Sequence, residues 1–139
     1  MLLGEYNYSV DAKGRLFIPA RFRDEMGSTL ILSKSLDNCI NVYSAEKWQQ
    51  FVDKLDLLPE VKARSVKRYI FSTAMELTAD AQGRIVLSAK LREHADLDKE
   101  AVIIGVGDHA EIWNTASYEA YMADNKTDEL VETLTEYGI

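Results

Sequence analysis

The stretch that decides the fold is Asp11-Ala12-Lys13-Gly14-Arg15-Leu16-Phe17-Ile18-Pro19-Ala20-Arg21-Phe22-Arg23, because it returns as Asp80-Ala81-Gln82-Gly83-Arg84-Ile85-Val86-Leu87-Ser88-Ala89-Lys90-Leu91-Arg92. The offset is 69 residues, and Asp, Ala, Gly, Arg, Ala and the final Arg are identical in the two copies. A second block repeats in the same order at an offset of 70: Val42-Tyr43-Ser44-Ala45-Glu46-Lys47-Trp48 with Phe51, against Ile112-Trp113-Asn114-Thr115-Ala116-Ser117-Tyr118 with Tyr121. Two gapped blocks in register define a duplication. It places one copy over residues 5–47 and the other over 76–119, with a helical linker at 48–75 and an acidic helical tail at 120–139.

Each copy reads as strand, turn, strand, short helix, strand, hairpin, strand, helix. Asp-Ala-x-Gly supplies turn chemistry, with Gly14 and Gly83 free to adopt positive φ. Arg15-Leu16-Phe17-Ile18 and Arg84-Ile85-Val86-Leu87 are short β-type runs, and Pro19 suits a strand end or a first helical turn. Ser44 and Asn114 are N-cap types before the helices that follow. In the first of those helices Trp48, Phe51, Val52, Leu55 and Leu58 fall on one apolar face, which predicts packing on the core. A unit with so few short strands cannot bury both faces alone. The expectation is therefore a mixed β protein with short helices (α+β), in which two interleaved hairpin sets share one core as a pseudo-twofold barrel.

The chain has 139 residues, a net charge of −7 and 47% hydrophobic positions, with a mean hydropathy of −0.21. That is enough apolar material for a core. No apolar run approaches the roughly 18 residues of a membrane span, and no basic segment precedes an apolar one as in a secretory signal, so a cytosolic protein is expected. Cys39, the single cysteine, sits in the apolar run CINVY and reads as a buried thiol. An isoelectric point near 4.8 argues superficially against nucleic acid. The charge is unevenly spread, however: residues 1–92 carry 14 Lys+Arg against 11 Asp+Glu, whereas 93–139 carry 2 against 12.

The paired turns are the strongest chemical signal. Asp and Gly could serve the hairpin alone, with Arg merely pairing to Asp. Two related turns on one surface would also present Lys13, Arg15, Gln82 and Arg84 to double-stranded DNA, where Arg pairs with guanine and Gln with adenine, and either takes a phosphate. Arg21, Arg23, Lys90 and Arg92 follow in the short helices and either extend that positive face or simply face water. Lys62, Arg64, Lys67 and Arg68 in the linker read as a solvated helix face that could reach flanking phosphates.

Gly105-Val106-Gly107-Asp108-His109-Ala110 fits a dinucleotide fingerprint, but Glu111-Ile112-Trp113 reads as a strand where that fingerprint needs a helix. His94 and His109 have no second ligand at metal spacing, and no nucleophile motif occurs. No catalysis and no cofactor are expected. The tail has an acidic first turn and an apolar face of Leu130, Leu134 and Tyr137, which would dock on its own domain, meet a neighbouring subunit, or fray.

At the paired turns the sequence resembles the MraZ family of bacterial transcriptional regulators, whose halves are swapped-hairpin domains of the SpoVT/AbrB type. The resemblance is carried by Gly4-Glu5-Tyr6, Asp11 to Arg15, Ile18-Pro19-Ala20-Arg21-Phe22-Arg23, Asp80 to Arg84, Val102-Ile103-Ile104-Gly105 and Glu111-Ile112-Trp113. It implies a duplicated double-split β-barrel with peripheral helices. It also implies a cytoplasmic, nucleoid-associated repressor that reads direct repeats in the promoter of its own division and cell-wall gene cluster, as a ring-shaped homo-oligomer. The family's D-x-x-x-R signature falls on Asp11 with Arg15 and on Asp80 with Arg84. The competing expectation is a protein-interaction or antitoxin-type module on the same fold.

Overall fold

The computed structural model describes residues 1–124 and 126–139; Asn125, inside the tail segment, lies outside the described residues. The first copy runs β1 (Glu5–Ser9), β2 (Arg15–Phe17), α1 (Ala20–Met26), β3 (Thr29–Lys34), β4 (Ile40–Ser44) and α2 (Ala45–Leu55). After α3 (Glu60–Phe71) the series repeats as β5 (Met75–Thr78), β6 (Arg84–Val86), α4 (Ala89–His94), β7 (Glu100–Gly105), β8 (Ala110–Asn114) and α5 (Thr115–Asp124), and α6 (Thr127–Glu136) follows. The architecture is α+β and the strand pairing is antiparallel.

The two copies exchange strands. A six-stranded sheet runs in the order β1-β7-β8-β4-β3-β5, and β2 and β6 form a separate two-stranded ribbon. Among the described residues, only the β3–β4 and β7–β8 hairpins pair within a copy. β1 pairs with β7, β5 with β3, β4 with β8 and β2 with β6, each ladder joining one copy to the other.

Period-two alternation sorts side chains between the two faces of the large sheet. Leu30, Leu32, Ile40, Val42, Ile103 and Ile112 point into the main core, where they meet Leu16 and Ile85 from the ribbon and Phe22 and Leu91 from α1 and α4. Tyr43 and Trp113 point the other way. Tyr43 packs on Trp48 and Phe51 of α2, Trp48 on Phe71 of α3, and Trp113 on Tyr118 and Tyr121 of α5, with ring centroids 5.1–5.7 Å apart. The sheet thus separates the ribbon, α1 and α4 from α2, α3 and α5.

The apolar face foreseen on α2 packs as expected, except at Leu58. That residue is 40% exposed, because the helix stops at Leu55 and Leu58 N–H donates to Leu55 O in a turn. Pro59 follows, and the residue before a proline is pushed out of the helical region. Both foreseen caps form: Ser44 Oγ accepts from Lys47 N–H at 3.1 Å, and Asn114 Oδ1 accepts from Ser117 N–H at 3.0 Å. Cys39 is fully buried, and desolvation pushes its thiol up to about 12. The Gly105–Ala110 segment is the β7–β8 hairpin, with β8 where a dinucleotide site would open a helix.

Candidate nucleic-acid interface

Both repeated turns are built by one carboxylate. Asp11 Oδ1 accepts from the backbone N–H of Lys13 (2.9 Å) and of Arg15 (2.8 Å), while Oδ2 accepts from Arg15 Nε at 2.6 Å. The second copy matches: Asp80 Oδ1 accepts from Gln82 and Arg84 N–H, both at 2.9 Å, and Oδ2 from Arg84 Nε at 2.9 Å. Gly14 N–H and Gly83 N–H close the turns onto Asp11 O and Asp80 O. Closing them this way needs φ of +78° at Gly14 and +85° at Gly83, values L side chains rarely adopt.

The donated backbone N–H of the arginine, followed by its side-chain bond and positive charge, holds each aspartate below the ordinary carboxyl value. Each arginine is thereby fixed through Nε. Among the described residues its Nη edge donates no hydrogen bond, a geometry that suits bidentate recognition.

The ribbon displays these arginines on one face. Register sets Arg15 opposite Val86, Leu16 opposite Ile85 and Phe17 opposite Arg84. Leu16 and Ile85 are buried, so alternation directs Arg15, Phe17, Arg84 and Val86 outward. The outward face is a quartet with arginines on one diagonal and the exposed Phe17 and Val86 on the other. The sequence reading missed those two apolar residues, although their alternation with Leu16 and Ile85 was the available signal.

Lys13 and Gln82 are exposed at the turn tips, and Arg21 and Lys90 are exposed on α1 and α4. Arg23 is placed differently. It is partly buried, its Nε donates to Ile18 O at 3.1 Å, and its guanidinium carbon lies 2.6 Å from where a Cβ on Gly83 would stand. Arg92 lies reciprocally against Gly14, at 3.3 Å from such a Cβ. Ile18 N–H donates to Gly83 O and Leu87 N–H to Gly14 O, so each turn is braced by the opposite copy.

The linker cations do not join this face. α3 carries Lys62, Arg64, Lys67 and Arg68 on the side of the sheet opposite the ribbon, and Lys67 pairs with Asp56 at 2.6 Å. Every described residue of α6 is exposed, so it does not dock on its own domain. Among the described residues no three metal-ligating side chains come together, and no helix is long and apolar enough to cross a membrane.

Fold and site together define a class: a duplicated α+β chain with interleaved copies, each presenting an Asp-held arginine on a shared ribbon. A family model described as "MraZ protein, putative antitoxin-like" matches residues 1–69 and again 70–136. A protein of Alkaliphilus oremlandii (strain OhILAs) named "Transcriptional regulator MraZ" is 48% identical over the whole of both chains. One of the same name from Thermoanaerobacter sp. (strain X514) is 45% identical over 99% of this chain and 96% of its own. Another, from Moorella thermoacetica (strain ATCC 39073 / JCM 9320), is 43% identical over the full length of both. The chain belongs to the MraZ family.

Proposed function

We propose that this chain is a sequence-specific, DNA-binding transcriptional regulator that represses its own division and cell-wall gene cluster through direct repeats in the promoter. The observation that carries this reading is the pair of Asp-held arginines, related by the duplication and set on the outward face of one ribbon. Arg15 and Arg84 are assigned the principal base contacts, with Lys13 and Gln82 beside them and Arg21 and Lys90 toward phosphates. Asp11, Gly14, Asp80 and Gly83 shape the turns. Arg23 and Arg92 brace them.

The strand exchange supports a swapped-hairpin double-split barrel, with repeats at 5–47 and 76–119, linker 48–75 and tail 120–139. The protein acts in the cytoplasm at the nucleoid, as a ring-shaped homo-oligomer whose several heads engage successive repeats and so gain avidity. It has no catalytic role.

A gel shift on the promoter of its own gene at several salt concentrations, with native mass spectrometry of the free protein, tests the reading. Arg15→Ala and Arg84→Ala are each expected to weaken binding by about 1–3 kcal/mol per lost bidentate contact. Unchanged affinity in both, with circular dichroism intact, rejects the assignment. The antitoxin-type reading is favoured by the exposed Leu130, Val131, Leu134 and Tyr137 of the tail. It would prevail if the chain shifted no duplex and bound a protein partner only while α6 was present.

A further inference from the structure

We propose that Phe17 and Val86 are specificity-determining residues that read thymine 5-methyl groups in the major groove, between the guanines taken by Arg15 and Arg84. The inference rests on the DNA-binding reading above and adds to it a second kind of base contact.

Phe17 is 43% exposed and Val86 55% exposed, although both belong to a ribbon whose other face is core. The duplication makes them equivalent positions, 69 residues apart, so an exposed apolar side chain stands at the same place in both copies. Neither is an accident of a frayed end. Phe17 is opposite Arg84 and Val86 opposite Arg15 in the ladder, which binds the apolar pair into the same rigid unit as the arginines.

Phe17 is further supported by Tyr8, with ring centroids 6.1 Å apart. The two apolar side chains occupy the diagonal of the ladder that the arginines leave. The major groove admits a two-stranded ribbon, and the thymine methyl is the apolar feature it offers there. Side chains two apart on a strand are separated by about 7 Å, close to two base steps at 3.4 Å each. The sensitive thymines should therefore lie within about two steps of the guanines that Arg15 and Arg84 contact.

The test uses the full-length protein and a duplex from the promoter of its own gene, in which each thymine in turn is replaced by deoxyuridine, deleting only the methyl group. Wild type is expected to bind about fourfold more weakly for each contacted methyl lost, the equivalent of one buried methylene. Those positions should neighbour guanines whose N7 methylation blocks binding.

In Phe17→Ala and Val86→Ala the corresponding thymine-to-uracil difference should vanish while binding to the uracil duplex persists. Val86→Thr, which keeps the shape of the side chain, should retain part of it. Wild type that binds both duplexes equally overturns the thymine contact and leaves DNA binding standing. Variants that bind both duplexes more weakly by the same factor also overturn it, since the residues would then be merely structural. Wild type that binds neither duplex overturns the DNA reading itself, and the inference with it.

Discussion

A single aspartate oxygen in each turn gathers two backbone N–H groups, and its partner oxygen takes the arginine Nε. Turn shape and arginine orientation are thus one structure, and both depend on an ionised carboxylate. Because folding lowers the Asp11 and Asp80 values below the ordinary 3.8, their contribution is complete above the unfolded value. It is lost as pH falls through the lower folded value. Carboxyl chemical shifts followed by NMR should show both aspartates titrating at lower pH than an unbonded aspartate. Ordinary titration at both would mean the turns are not held this way.

Gly83 carries a second constraint, since a Cβ there would stand 2.6 Å from the Arg23 guanidinium carbon, whereas nothing lies within 4 Å at Gly107, where φ is also positive. Gly83→Ala should cost backbone strain of about 1–3 kcal/mol plus displacement of Arg23, and Gly107→Ala the strain alone. Thermal melts should rank them in that order.

At the scale of elements, the ribbon has only three residues in each strand, too few to stand without packing. What holds it is the Leu16–Ile85 pair, both essentially fully buried against the large sheet. Leu16→Ala should therefore cost about 2–5 kcal/mol in urea unfolding, the range for a buried leucine that leaves a cavity. A cost below 1 kcal/mol would show that the ribbon is held otherwise. The short strands and their turns were legible from Asp-x-x-Gly and from alternation. Partners within the β3–β4 and β7–β8 hairpins were legible too, but partners between the copies were not, because each ladder of the ribbon and of the sheet edges joins distant residues and local pattern carries no record of the opposite strand. The inward side of Arg23 was hidden for the same reason: its packing partner, Gly83, is 60 positions away in the chain.

Across the whole molecule, each half lacks the strands that complete it. β1 finds its partner in β7 and β5 in β3, so residues 1–72 expressed alone would expose Leu16, Ile18 and Phe22. That fragment is expected to be unfolded as a monomer and to gain structure only by pairing with a second copy. Circular dichroism with sedimentation would detect a folded monomer if the halves were independent. The charge is divided along the chain as well: residues 93–139 carry 12 Asp+Glu against 2 Lys+Arg, so the total of −7 says little about the ribbon's outward face.

The sequence by itself determined the duplication and the two Asp-held turns with their arginines, because turn chemistry and period-two alternation act over a few neighbours. Only the tertiary structure decided which strands pair between the copies and that α3 faces away from the ribbon. Those outcomes follow from burying two incomplete apolar surfaces against each other, a condition on the whole chain that no local stretch encodes.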